Sequence, residues 1–285
     1  MVKLTTLKEA KDFAVDRLKV ACECATFEAE QLIGFVTGLD KNGQFLNKNT
    51  PLTKKQIRKL KTLVKKRFKG IPLQYLVKKW EFYGLEFYVG KGVLIPRPDT
   101  ELVVQLALDY IKKVGAKRVF DFCAGSGAIG ISVSVFSPTT YVTMVERSKK
   151  AFKYLKQNIA LNKKSKEQNM LAIRQDIFKF APDDRCDLLI SNPPYIKTGD
   201  MQTLSKEVKN EPKMALDGGT DGLYFYRKIS ENADKYLKKG GRILFEIGFD
   251  EGESVSMLLR ENGFSNIKIA KDLSGNDRAV YGDYI

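Results

Sequence analysis

The sequence contains no histidine. With it go the commonest general base near neutral pH and every Ser-His or Cys-His nucleophile pair, so the chemistry of this chain works without imidazole. Cysteine is sparse as well: Cys22, Cys24, Cys123 and Cys186 in 285 residues make no disulfide framework. Cys22-x-Cys24 has no second pair and no histidine to complete a metal site, so no metal is expected and the four read as thiols in a reduced compartment. No apolar run approaches the roughly 18 residues that a membrane span needs. The opening Met1-Val2-Lys3-Leu4 leads into a charged amphipathic stretch rather than the apolar run of a signal peptide. A cytoplasmic protein without a membrane partner is expected. Acidic residues are missing locally: residues 41–80 hold 13 Lys or Arg and no Asp or Glu, within a chain of net charge +15. That basic segment, residues 41–79, is either a solvated face or a surface for transient contact with RNA or the ribosome.

The composition, 43% hydrophobic and 29% charged, is that of a chain that folds. Thr6-x-x-Glu9 is a capping-box pattern opening a helix with Leu7, Ala10, Phe13, Ala14 and Leu18 on one face. Residues 28–39 place Leu32, Ile33, Phe35, Val36 and Leu39 at helical spacing, and residues 53–68 do the same with Ile57, Leu60, Leu63, Val64 and Phe68, lysines lying opposite. Residues 1–78 therefore read as a small helical bundle. Gly70-Ile71-Pro72 punctuates the change, and residues 79–96 read as a β-hairpin linker turning near Gly84 or Gly90-Lys91-Gly92. From residue 97 to 285, after a helix capped at Asp99 or Thr100, short apolar runs alternate with helical patterns. The runs lie at 119–122, 141–145, 170–173, 187–191, 242–247, 266–270 and 279–285, which predicts an α/β domain with a mostly parallel seven-stranded sheet and an antiparallel edge.

The first of these strands runs into Cys123-Ala124-Gly125-Ser126-Gly127-Ala128-Ile129-Gly130, a literal GxGxxG opening a helix. Glycines there let the backbone turn tightly and approach a ligand. Nineteen residues past Gly127, Glu146 ends the second strand, where a carboxylate can accept hydrogen bonds from both hydroxyls of a ribose. A solvated acid at a helix start is the plainer reading of Glu146. Asp176, after the third strand, either bonds an adenine amino group or caps a turn. A nucleoside site follows, and the glycines alone do not choose between NAD and S-adenosyl-L-methionine.

The fourth strand ends in Asn192-Pro193-Pro194-Tyr195, at the carboxyl edge where open α/β sheets place their ligands. Two prolines stiffen the loop and remove two backbone donors, leaving carbonyls outward as acceptors. An amide or conjugated amine is a weak nucleophile because its lone pair is delocalised. If the Asn192 side-chain oxygen and the Pro193 carbonyl each accept one N–H of an acceptor NH₂, the lone pair turns toward an incoming methyl group and positioning does most of the catalysis. The same acceptors stabilise positive charge developing on nitrogen, and Tyr195 can stack on the planar group. No histidine base is required.

With these residues the chain resembles the release-factor glutamine methyltransferases, whose tetrapeptide is Asn-Pro-Pro-Tyr. The likeness extends through Gly70-Ile71-Pro72-Leu73-Gln74-Tyr75-Leu76, Val93 to Glu101, Glu207-Val208, Glu211-Pro212, Ala215 to Gly219, Asp221-Gly222-Leu223, Phe225-Tyr226-Arg227, Phe245-Glu246-Ile247-Gly248 and Lys271 to Arg278. It implies S-adenosyl-L-methionine held by Cys123, Ala124, Gly125, Ser126 and Gly127, by Glu146, by Asp176 and Ile177, and by Asn192. It implies that Asn192, Pro193, Pro194 and Tyr195 hold the glutamine of a release factor's Gly-Gly-Gln loop, with the helical domain recognising that substrate. Ala124 stands where the family usually has Thr and Glu146 where it usually has Asp; both preserve the chemistry above. Rival readings are an amino-methyltransferase acting on adenine or cytosine of nucleic acid, and a non-catalytic RNA- or ribosome-binding protein. An NAD dehydrogenase would explain the glycines but leave the tetrapeptide without a role.

Overall fold

The computed structural model describes residues 5–166 and 168–285; the opening Met1 to Leu4 lies outside the described residues. The chain divides into two compact units, one formed by residues up to Lys79 with Ser205–Asn210, the other by Trp80–Leu204 and Glu211–Ile285.

The first unit is helical: α1 (Leu7–Leu18), α2 (Ala25–Thr37), α3 (Lys41–Leu46), α4 (Lys54–Phe68) and α5 (Leu73–Val77). The capping box forms at α1, where Glu9 N–H donates to Thr6 Oγ1 and Glu9 Oε2 accepts from Thr6 N–H at 3.1 Å. A second one, Thr53 with Gln56, opens α4. Leu7, Ala10, Ala14, Leu18, Leu32, Ile33, Leu60 and Val64 bury the facing stripes. The apolar pattern of α4 misses its last turn. Phe68 is 58% exposed, while Arg67 is 2% exposed and takes the core-facing place. Burying a guanidinium requires partners, and Arg67 has two carboxylates: Nε donates to Glu28 Oε2 at 2.5 Å and Nη2 to Glu207 Oε1 at 2.5 Å. Glu207 comes from Ser205–Asn210, and Asn210 Nδ2 donates to Gly70 O at 3.0 Å in the same unit. Sequence periodicity gave no hint of this return of the chain. Lys54, Lys55, Lys59, Lys61, Lys65, Lys66 and Lys69 are exposed.

The second unit begins inside β1 (Lys79–Phe82), which is followed by β2 (Leu85–Tyr88); the two are joined at Tyr83 and Gly84, both with left-handed φ. That settles the turn at Gly84; Gly90 and Gly92 instead lie where α8 (Lys149–Asn162) passes close, since a Cβ on Gly90 would stand 2.3 Å from the Tyr154 hydroxyl. The remaining strands are β3 (Arg118–Phe122), β4 (Tyr141–Val145), β5 (Met170–Ile173), β6 (Cys186–Ser191), β7 (Leu237–Glu246), β8 (Phe264–Lys271) and β9 (Asp277–Tyr284). They form a seven-stranded sheet in the order β5-β4-β3-β6-β7-β9-β8. All neighbours from β5 to β7 are parallel, and β9 pairs antiparallel with β7 and β8. Side chains alternate along the buried strands. Val119, Leu188, Ile190 and Leu244 meet α6 (Glu101–Val114) and α7 (Ala128–Phe136) in one core, while Phe120, Phe122, Leu189, Ile243 and Phe245 meet α9 (Tyr224–Glu231), α10 (Ala233–Tyr236) and α11 (Gly252–Glu261) in the other. No helix among the described residues is long and apolar enough to cross a membrane.

Candidate active site

The chain leaves β3 for β4 and β5 on one side and returns to β6 on the other, so the carboxyl ends of β3 and β6 face a crevice that no crossover covers. The two ends are tied together, Ser191 Oγ donating to Phe122 O at 2.8 Å. A cavity opens there, lined by Asp121, Cys123, Ala124, Gly125, Ser126, Glu146, Asp176, Ile177 and Asn192, by the segment Gly92 to Arg97, and by Met214, Ala215 and Phe225.

Its floor is the glycine loop. Cys123, Gly125 and Gly127 all have positive φ, at 59, 56 and 83°. Only glycine takes that conformation without strain, so Cys123 is an outlier held in place at the site. Burial first, then the charge of Glu146, push the Cys123 thiol well above its usual range, so it lines the cavity as a neutral group rather than a nucleophile. Gly125 N–H points at Glu146 Oε2, 2.8 Å away, and Ser148 N–H at Glu146 Oε1, 2.5 Å away. Glu146 is 8% exposed, which excludes the solvated helix-start reading. Burial raises its pKa and the donated amides of Ser148, Gly125 and Arg147 oppose the rise.

Gly127 is placed differently from the rest of the loop. It is absent from the cavity wall, and a Cβ on it would stand 2.4 Å from Leu155 Cδ1 and 2.7 Å from Ile131 Cδ1. Its role is helix packing at the start of α7. The third glycine acts likewise: a Cβ on Gly130 would meet Met144 Cγ at 2.6 Å and Asp121 Oδ2 at 2.8 Å. Of the three glycines, only Gly125 borders the cavity.

Asp176 caps the short 3-10 turn Ile177–Lys179, Oδ1 accepting from Phe178 N–H at 3.1 Å, and its Oδ2 lies 3.3 Å from Arg147 Nη1. The turn-capping reading therefore holds, and the residue borders the cavity as well. From the tetrapeptide, Asn192 and Pro194 reach the wall, whereas Pro193 and Tyr195 do not. Tyr195 packs against the core of Tyr226 and Phe245, and burial with the nearby Glu246 pushes its hydroxyl up beyond the ordinary phenol range. The Pro194 carbonyl does not face outward. A Cβ on Gly218 would come within 2.7 Å of it, so the 216–219 loop covers that side, with Ile196 N–H donating to Leu216 O at 2.9 Å.

Several site residues had no signal in spacing. Asp121, 1% exposed on β3, accepts from Gly130 N–H at 2.9 Å through Oδ2, while Oδ1 has no partner among the described residues and the residue borders the cavity. Burial pushes its carboxyl up to about 7. Glu211, also buried, accepts from Ile95 N–H at 2.9 Å and pairs with Arg97, pinning the wall segment. Asn158 on α8 is fully buried and makes three bonds to two residues: it accepts from Tyr88 N–H at 2.6 Å and donates to Tyr88 O at 3.1 Å and Ser126 O at 2.9 Å. It locks hairpin to glycine loop. Motif comparison could have flagged Glu211, which stands in a family-like Glu-Pro pair; a lone Asn on a helix face and a strand Asp could not be singled out.

The wall fits a nucleoside carrying a cationic tail. Glu146 keeps lone pairs for two hydroxyls, the Gly125 backbone admits close approach, and the unpartnered Asp121 Oδ1 supplies a negative acceptor. No group of His, Cys, Asp or Glu among the described residues could hold a metal ion. Comparison with known proteins identifies the family. Residues 9–77 match the PrmC N-terminal domain and residues 100–220 the methyltransferase small domain. The release factor glutamine methyltransferase of Thermodesulfovibrio yellowstonii is 37% identical over 94% of this chain and 96% of its own length. The one from Geobacter sulfurreducens is 39% identical over 91% and 90%. Among solved structures, a methyltransferase from Pyrococcus furiosus shares the fold, with a TM-score of 0.52 and 19% identity over 72% of this chain and 91% of that one. The chain belongs to the release factor glutamine methyltransferase family.

Proposed function

We propose that this chain methylates the side-chain amide nitrogen of the glutamine in the Gly-Gly-Gln motif of peptide-chain release factors, with S-adenosyl-L-methionine as methyl donor. The observation that carries the reading is one cavity with Glu146 and the glycine loop on one wall and Asn192 on another, at the switch point between β3 and β6. When bound, the cofactor supplies an electrophilic methyl group. Glu146 would hold the ribose diol, Asp121 the ammonium of the methionine tail, and Asp176 with Ile177 and Phe225 the adenine. Cys123, Ala124, Gly125 and Ser126 give the floor, and Gly127 holds that floor on α7.

Asn192 Oδ1 on the cavity wall and the carbonyl of the adjoining Pro193, set just behind that wall, would accept the two N–H bonds of the glutamine amide, which fixes the nitrogen and favours the charge that grows on it. Pro194 and Tyr195, wedged between the 216–219 loop and the core, keep that pair rigid. Nitrogen loses its extra proton after transfer to solvent, so no basic side chain is needed. The exposed lysines of α4 steer an acidic partner, the release factor itself or RNA beside it. A cytoplasmic location suits the four cysteines, all free.

Incubation with labelled S-adenosyl-L-methionine and, separately, release factor, RNA and DNA tests the reading. Peptide mass spectrometry should place the label on the glutamine of the release factor alone; label on a nucleobase and none on the release factor would overturn it.

A further inference from the structure

The tetrapeptide's asparagine has a buried neighbour that the proposed reaction has not yet used. Ser191 pairs with Phe245 across the parallel strands β6 and β7, so the next residues, Asn192 just past β6 and Glu246 at the last position of β7, come side by side at the carboxyl edge. Glu246 is 2% exposed and does not reach the cavity wall; Thr100 and Asn192, which do, stand near it. Its Oε2 has no hydrogen-bond partner among the described residues, nor has Thr100 Oγ1. A carboxylate left this way at the back of a site costs stability, since a buried polar group without a partner has given up its water for nothing. Structures retain such groups where the charge has a task.

We propose that Glu246 is a positioning residue for methyl transfer, setting the rotation of the Asn192 amide. This rests on the reading of Asn192 given above. An asparagine amide offers an NH₂ with two donors on one side and an oxygen acceptor on the other, and the two ends are nearly equal in shape. Only the oxygen end can receive an N–H of the acceptor glutamine. An ionised carboxylate accepts and never donates, so Glu246 draws the Nδ2 end of Asn192 toward itself and leaves Oδ1 for the cavity. The flipped rotamer would set oxygen against carboxylate and offer the substrate NH₂ only donors.

The setting of Glu246 makes this orientation dependent on pH. Burial raises its carboxyl to about 7, against the pull of Thr100, Arg278 and Asn192. The titratable and charged groups around it are Arg278 on β9, Asp99 before α6, Tyr195 in the tetrapeptide loop, and Tyr226 on α9. Arg278 is itself tied to Asp272 at 3.1 Å and lies 3.5 Å from Asp99, so it stays charged and near throughout. Protonated, Glu246 gains an O–H donor and tolerates either face of Asn192. The fraction of correctly turned sites then drops as pH falls through about 7.

Single-turnover methylation of a release factor by parent and Glu246→Gln, over about pH 6 to 8, tests this. Glutamine keeps the shape but can donate, so the variant should transfer methyl roughly 10-fold or more slowly at the upper pH. Its rate should be flat with pH, while calorimetry returns parental affinity for S-adenosyl-L-methionine and for release factor. The parental rate should rise with pH. In an Asn192→Ala background Glu246→Gln should add nothing, since the group it orients is gone. A Glu246→Gln protein with the parental rate and pH slope would overturn the proposal, as would a parental rate independent of pH, which needs no variant. A parent that leaves the release factor unmethylated is a different result, and would count against the function rather than against Glu246.

Discussion

For single residues, function depends on which side of the backbone a group faces. Asn192 borders the cavity, and its oxygen is assigned to the amide in flight. Asn192→Ala should therefore lower kcat by about 100-fold or more while changing release-factor affinity by only a few-fold, because the lost interaction strengthens in the transition state. Stopped-flow transfer rates beside equilibrium binding separate the two; equal losses in both would contradict the assignment. Gly127 is the converse case. Its missing Cβ is filled by Leu155 and Ile131, so Gly127→Val should depress the melting temperature through clashes in the α7–α8 core. Any loss of cofactor binding should follow from unfolding rather than precede it. Calorimetric affinity lost in a variant that melts like the parent would return Gly127 to the cofactor. The sequence marked it as part of one glycine motif, and spacing cannot say which glycine serves the ligand and which serves the helix.

At the scale of elements, the strands were legible because each buried run is short, β-rich and bounded by turn residues, as with Val119 to Phe122 and Leu188 to Ser191. The start of β7 at Leu237 was not, since Lys238-Lys239-Gly240-Gly241 reads locally as a turn and joins the strand only through pairing beside β6. α3 and α5, of 6 and 5 residues, are too short to show a period. Helix α4 was read correctly in register up to Val64, but the buried guanidinium of Arg67 depends on carboxylates from Glu28 and Glu207, far apart in sequence. Its outer face makes a separate prediction. Lys55, Lys65 and Lys66 are exposed, and reversing all three to Glu should raise KM for release factor several-fold at low salt and leave cofactor affinity unchanged. The difference from the parent should shrink as salt rises, because exposed charge is screened over about 10 Å at 0.1 M. Parental kinetics and salt dependence in the triple variant would mean the face is merely solvated.

For the whole molecule, the candidate site was legible where chemistry needs a fixed residue type at the end of a strand: the loop at Gly125, Glu146, and Asn192. The supports beneath it, Asp121, Asn158, Glu211 and Glu246, were not, since their roles exist only once strands and helices from distant parts of the chain meet. Two of these, Asp121 and Glu246, also shape stability, together with Glu251, which accepts from Gly248 N–H. Burial lifts Asp121, Glu246 and Glu251 from 3.8 or 4.5 to about 7. A carboxyl raised on folding holds its proton more tightly in the native state. Its contribution is complete below the unfolded pKa and is lost as pH climbs through about 7. Asp187, Asp217, Asp221 and Asp272 are lowered instead, and their contribution is already complete above about pH 5. The melting temperature should consequently fall as pH rises from about 5 to about 7 and level off above that, where both states have lost the proton. Scanning calorimetry across that range checks it, and a melting temperature that rises with pH would refute the burial argument.

In the proposed reaction the acceptor is one amide nitrogen, placed by Asn192. Its most direct measurement is methyl incorporation, by intact-mass spectrometry, into a release factor and into the same factor with the Gly-Gly-Gln glutamine replaced by glutamate. One methyl group per molecule is expected on the first and none on the second, whose carboxylate offers no N–H to the paired acceptors. Equal incorporation into both would place the methyl group elsewhere and contradict the mechanism.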